Sequence, residues 1–154
     1  MNQYNLTRKG EEESGSVLSP GRKAQKTARW ARIMTKWLIT YTRRRGVKWN
    51  LVEFGGKTGS ESKGIVDLVA IRKNHKAHQS GLKRGDLFDI ILIQVKGGGT
   101  KRPSDSDLER LVQVKEYHNA RAIVLAEWKK GQSLIFYRLE NFLWQEVDPV
   151  EIFG

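Results

Sequence analysis

The sequence predicts an α/β fold, a mixed β-sheet flanked by helices in the order αβββαββ. A long amphipathic stretch near the N-terminus has helical spacing, and residues 64–71 and 89–98 are short apolar runs rich in β-branched residues. Runs of this composition are typical of buried strands. A second helical stretch and two more strand-like runs follow. Helices that alternate with strands in this way pack on the faces of one sheet.

The chain begins with a polar tail and a long helix. Residues 1–21 combine Gly, Ser and three consecutive Glu without hydrophobic periodicity, so we expect a flexible tail. From Arg22 to Arg45 the spacing predicts a helix with two arcs. We expect the apolar arc to face the core; it comprises Ala24, Ala28, Trp30, Ala31, Met34, Trp37, Leu38 and Tyr41.

Three strands are predicted after this helix. Residues 47–54 alternate as a half-buried strand does, and a loop rich in Gly, Ser and Lys leads to the first apolar run. The polar residues 72–86 connect that run to the second one. The two apolar runs are therefore expected to lie side by side in the sheet.

The second half predicts a helix and a hairpin. A helix is expected at about 104–119, and strands are expected at 122–128 and 133–139, joined by a four-residue turn that contains Gly. Residues 22–139 would then form one domain, and residues 140–154 would form a C-terminal segment with some packed aromatic residues. A single domain suits a chain of 154 residues.

Composition excludes several classes of protein. The chain has no cysteine, so it has neither a disulfide framework nor a thiolate metal site. The N-terminus is polar and shows no secretory signal. No apolar run approaches the roughly 20 residues that span a bilayer. We therefore expect a cytoplasmic protein with no membrane partner.

Positive charge is concentrated on the first helix. The formal net charge is +11, and residues 21–50 hold ten Lys or Arg and no Asp or Glu. Residues 51–154 are nearly balanced, with sixteen basic and fourteen acidic residues. Such a local excess favours a polyanion partner, because cationic side chains displace the counterions of phosphates. The alternative is a solvated helix face that serves solubility.

Polar residues interrupt the two apolar runs. Asp67 lies in the first run, and the second ends in Gln94-x-Lys96. Because an unpaired charge is costly in an apolar interior, these groups are best explained if they converge on a divalent metal and a phosphate. Gln94 and Lys96 share a strand face, whereas Asp89 lies about 16 Å away along the strand. A buried ion pair between Asp67 and Lys96, with Gln94 hydrogen-bonded nearby, is the structural alternative.

An acid on one strand followed by a polar-x-Lys motif on the next resembles the PD-(D/E)xK nuclease superfamily. The length and element order look most like archaeal-type Holliday junction resolvases, over roughly residues 22–139. The Gln-x-Lys variant is similar to that of methyl-directed restriction endonucleases. Two positions depart from the pattern: Val66 replaces the name-giving Pro, and the first helix lacks the acid that many resolvases carry there.

The resemblance implies a restriction-endonuclease-like fold and a catalytic site with Mg²⁺ or Mn²⁺. Asp67, Gln94 and the Val95 carbonyl would bind the metal, and Lys96 would orient or deprotonate the attacking water. Glu53 could restore the carboxylate that Gln94 lacks, or it could be an edge-strand surface acid.

The positive charge predicts contacts with a DNA backbone, and the resemblance adds a loop serine near the scissile phosphate. Backbone contacts are expected from the first helix and from two loops: Arg22, Lys26, Arg29, Arg32, Lys36, Arg43, Arg44, Lys57, Ser60, Ser62, Lys101 and Arg102. The sequence thus predicts a metal-dependent DNA endonuclease, selective for branched DNA and dimeric, since resolvases cut two strands. Trp128 and Trp144 are candidates for the dimer interface. The alternative is a non-catalytic nucleic-acid-binding protein with the same fold.

Overall fold

The computed structural model describes residues 17, 19–42, 46, 48–55, 64–76, 78–99, 101–129 and 131–154. Nine elements are assigned there: α1 (Pro20–Thr42), β1 (Asn50–Glu53), β2 (Leu68–Lys73), β3 (Phe88–Gly97), α2 (Asp105–Tyr117), β4 (Ala122–Trp128), β5 (Ile135–Glu140), β6 (Leu143–Val147) and α3 (Pro149–Phe153). None of the described helices combines the length and the apolar character needed to cross a membrane.

The strands form one mixed sheet in the order β1-β2-β3-β4-β5-β6. Only the β3–β4 pair is parallel, and α2 makes the crossover between those two strands. The two apolar runs lie in β2 and β3, which pair antiparallel. The α/β class and the predicted order of the first seven elements are therefore confirmed.

One face of the sheet packs on α1 and α3. Ile91 and Ile93 of β3 belong to a buried cluster with Ile39 of α1 and Phe153 of α3. The other face packs on α2, where Leu92 meets Leu108 and Leu111. Successive residues of β3 therefore alternate between an α1 face and an α2 face of the sheet.

The packed side of α1 agrees only in part with the predicted apolar arc: Ala31 is buried as expected, but the aromatic residues are not. Ala31, Thr35 and Ile39 are fully buried, whereas Trp30, Trp37 and Tyr41 are exposed. The reason is close packing: a Cβ added at Gly97 would lie 3.2 Å from the Ala31 Cβ. Large rings do not fit into a contact that tight, so they turn to the outside.

The C-terminal segment completes the sheet and the core. It supplies β6 as an edge strand and α3 as a cap on the α1 face. Phe153 is fully buried, and its carbonyl accepts a 3.0 Å hydrogen bond from the Trp49 indole N–H. Residues 143–153 therefore pack with the rest of the described chain.

Candidate active site

A local irregularity positions Asp67 at the start of β2. Leu68 is the register partner of Ile93, yet the Asp67 N–H also donates a 3.0 Å hydrogen bond to the Ile93 carbonyl. Two residues of one strand thus face one residue of the other, which is the pattern of a β-bulge. Bulges re-aim a side chain at the end of a ladder, and this one directs Asp67 along the edge of β3.

The Asp67 carboxylate contacts the backbone between Gln94 and Lys96. Its Oδ2 accepts a 2.7 Å hydrogen bond from the Val95 N–H. The N–H and C=O of one strand residue point to the same side, so the Val95 carbonyl also points toward the Asp67 side of β3. The Asp67 carboxylate and the Val95 backbone, two of the groups expected to bind a metal, are therefore in contact.

Gln94 contributes a buried oxygen. The residue is 6% exposed, and its Oε1 makes no hydrogen bond to any of the described residues. An amide oxygen buried without a partner costs free energy. A cation beside the Asp67 carboxylate would satisfy that oxygen, whereas no described protein donor does.

Lys96 lies on the α2 face, together with Gln94 and Leu92. It takes part in none of the ion pairs within 4.0 Å among the described residues. The alternative of a buried ion pair between Lys96 and Asp67 is therefore not formed there. Lys96 is partly buried, and its ammonium could contact a bound phosphate or water.

The structure does not bring Glu53 to this group. Glu53 pairs across the sheet with Leu68, which packs in the α1-side core. Its carboxylate forms ion pairs with Arg32, at 3.0 Å, and with Lys36, both on α1. Glu53 thus lies on the face opposite Lys96, and the role expected for it is corrected to an ion pair that attaches β1 to α1.

Glu127 is an acid near the site that the sequence interpretation missed. It is buried on β4 as the register partner of Lys96. Arg102 donates to both of its oxygens, at 3.0 and 3.3 Å, and stacks over the Tyr137 ring. This hydrogen bonding lowers the pKa of Glu127, against the opposing effect of burial, and raises the pKa of Arg102. The Glu127 carboxylate therefore stays ionised and anchors the loop that follows β3.

The signal for Glu127 was present in the sequence. Residues 122–128 are apolar except for this one acid, the same feature that singled out Asp67. Its pairing with Arg102 also changes the expectation for that arginine, whose charge is neutralised within the fold.

Apart from Arg102, which pairs with Glu127, the predicted DNA-contacting residues fall into three groups. Arg22, Lys26, Arg29 and Lys101 are exposed. Arg32 and Lys36 face Glu53 instead, so they contribute less to a free basic surface than the helical wheel indicated. Five predicted contacts lie outside the described residues: Arg43, Arg44, Lys57, Ser60 and Ser62.

The donor set fits a hard divalent cation. Carboxylate, amide and backbone carbonyl oxygens are the ligands that Mg²⁺ accepts, with waters in its remaining positions. In the described part of the chain no three His, Cys, Asp or Glu side chains cluster as metal ligands. Asp67 is therefore the one carboxylate in the proposed ligand set, and the site carries one negative charge fewer than a pair of acids would.

The fold is an α/β mixed sheet flanked by helices. No protein-family model matches the chain, and the curated proteins yield no match. Among solved structures it is similar to Hjc, a Holliday junction resolvase from Archaeoglobus fulgidus, an archaeal hyperthermophile. The identity is 14% and the TM-score 0.45, with 82% of this chain and 98% of that chain covered. At these values the likeness concerns backbone shape and says nothing about chemistry.

Proposed function

We propose that this protein is a metal-dependent endonuclease that hydrolyses phosphodiester bonds in DNA. The observation that carries the proposal is the buried Gln94 Oε1, which has no hydrogen-bond partner among the described residues. Gln94 directly precedes Val95, whose N–H donates a hydrogen bond to the Asp67 carboxylate. In the proposal, the Asp67 carboxylate, the Gln94 amide oxygen and the Lys96 ammonium act together at this end of the β2–β3 pair. Mg²⁺ or Mn²⁺ is the cofactor that this set accommodates.

Each residue has a distinct chemical role in the proposal. Asp67, Gln94 and the Val95 carbonyl would hold the metal, which supplies phosphate polarisation and an acidified water. The hydrogen bond from the Val95 N–H orients the Asp67 carboxylate before any ligand binds. Lys96 would orient the attacking water, or take its proton if the amine is neutral, and as the ammonium it would offset charge that develops on the phosphate.

The charge distribution favours a nucleic-acid substrate, and DNA is proposed by resemblance. The exposed cations near the start of α1 and Lys101 after β3 would bind the phosphate backbone. Selectivity for branched DNA and a homodimer remain part of the proposal by resemblance. Trp128 and Trp144 are partly buried, so they do not form the exposed patch that the sequence indicated for the dimer interface.

A non-catalytic DNA-binding protein is the second candidate. The observation that favours it is the single carboxylate in the proposed ligand set, because a neutral amide holds a divalent cation weakly. The two candidates differ in whether the site binds metal at all.

Gln94→Glu should tighten Mn²⁺ binding by about tenfold, because it adds the second carboxylate beside Asp67. Mn²⁺ titration followed by electron paramagnetic resonance measures this. Gln145→Glu is the matched control, since it adds the same charge at an exposed position on β6. Equal affinity for the parent, Gln94→Glu and Gln145→Glu would refute a metal site at Gln94.

A further inference from the structure

A cleft lies between the start of α1 and the ends of β3 and β4. Its volume is about 710 Å³, within the range of small-ligand sites. We call it the aromatic-basic cleft and define it by Trp30, Trp128, Lys23, Lys26, Lys129 and the Gly98-Gly99 turn. Its lining includes two tryptophans and three lysines, and none of the described residues that line it is acidic.

The glycine turn gives the cleft its shape. Gly98 has a positive φ of 66°, and a Cβ there would lie 2.8 Å from the Thr27 Cγ2 of α1. Only glycine combines this backbone with so close an approach. The Gly98 N–H donates to the Trp128 carbonyl at 3.1 Å, which holds the turn against the end of β4.

The indoles are accessible to a ligand. Trp30 is 49% exposed although it is a large apolar residue, and Trp128 is half-buried at the strand end. Lys23 and Lys26 are exposed on the same helix, while Lys129 is 3.6 Å from Glu127. An aromatic surface edged by cations suits a base stacked on a ring with its phosphates on the ammonium groups.

We propose that the aromatic-basic cleft binds an unpaired nucleotide of single-stranded DNA. A duplex hides the faces of its bases in its own stack, so the ring surface selects an unstacked base. The cleft lies at the end of the two strands that carry the candidate site, but toward the α1 face of the sheet, because Gly97 and Trp128 directly follow Lys96 and Glu127 on paired strands. The inference rests on the proposed function in one respect: the bound strand would belong to the DNA that the site cuts, entering where it is unpaired.

The test compares two tryptophans on one helix. Trp30→Ala should weaken binding of a fluorescein-labelled twelve-residue oligothymidylate by about tenfold, as expected for the loss of one stacked base. Trp37→Ala is the matched control, because Trp37 is 51% exposed on α1 yet does not line the cleft. Neither change should shift affinity for a twelve-base-pair duplex. Anisotropy titrations in EDTA at low salt measure all four affinities.

Further readouts keep the result interpretable. Thermal melting by circular dichroism confirms that both variants fold, and oligothymidylate should quench tryptophan fluorescence less in Trp30→Ala than in Trp37→Ala. Equal losses of affinity in the two variants, or no loss in either, would overturn the cleft. These titrations contain no metal, so they test the cleft independently of cleavage. If the protein cuts no DNA but Trp30→Ala still weakens oligothymidylate binding, the nuclease proposal is refuted and the cleft proposal is supported.

Discussion

Lys96→Ala should lower the rate of metal-dependent DNA cleavage by about 10²–10⁴-fold, the usual contribution of a positioned acid–base group. Lys96 forms no ion pair among the described residues, and Gln94 and the Asp67 anchor lie on its own strand. Removing the Lys96 side chain therefore takes a positive charge away from the neighbourhood of the reacting phosphate. No buried carboxylate among the described residues loses an ion-pair partner. Mn²⁺ binding should be retained.

The control for Lys96→Ala is Lys83→Ala, which removes one positive charge from an exposed loop. Single-turnover cleavage with saturating enzyme separates the chemical step from DNA binding. An Lys96→Ala variant that cuts as fast as Lys83→Ala would show that Lys96 does not take part in the reaction. Loss of Mn²⁺ binding in Lys96→Ala would indicate a structural role instead.

Asp67→Asn should reduce cleavage on the order of 10³-fold and abolish Mn²⁺ binding, because it removes the one carboxylate of the proposed ligand set. The asparagine Oδ1 can still accept the hydrogen bond from the Val95 N–H, so the β-bulge should persist. Affinity for DNA should be unchanged or higher, since a negative charge near the phosphate is lost. Cleavage assays, Mn²⁺ titration and DNA binding in EDTA test the three parts.

Asp105→Asn is the matched control, since Asp105 is exposed in the first turn of α2. It should leave cleavage and metal affinity within twofold of the parent values. If Asp67→Asn kept the Mn²⁺ affinity of the parent, the metal would have to bind elsewhere. If both DNA binding and thermal stability collapsed, Asp67 would be a structural residue of the bulge.

The central strands could be predicted from the sequence, because a strand that is buried on both faces needs nearly continuous apolar residues. The same demand made Asp67, Gln94 and Lys96 conspicuous, and the spacing of the last two fixed their shared face. The bulge that aims Asp67 at the Val95 N–H could not be predicted, since it depends on how two strands register. The sequence also could not show that Gln94 Oε1 has no hydrogen-bond partner among the described residues.

The helix α1 shows where periodicity is insufficient. Its aromatic residues have the spacing of a buried stripe, but the sheet accepts the smaller Ala31 and Thr35 because Gly97 allows a close approach. Hydrophobicity alone predicts that Trp30 is buried. Its indole ring, however, is too large for the close contact between α1 and the sheet at Gly97. The position of Glu53 follows from the same packing, because the side of α1 that meets the sheet carries Arg32 and Lys36 to β1.

The most direct measurement of the central claim is incubation of the parent protein with four-way, flapped and linear DNA of matched sequence, with Mg²⁺ or with EDTA. We predict cleavage with Mg²⁺, strongest on the branched substrates, and none with EDTA. The metal dependence would arise from Mg²⁺ bound at Asp67 and Gln94. The faster cleavage of branched DNA would arise from the unpaired strands at the branch. Intact DNA binding without cleavage of any substrate under Mg²⁺ or Mn²⁺ would contradict the enzyme and leave a DNA-binding protein of the same fold.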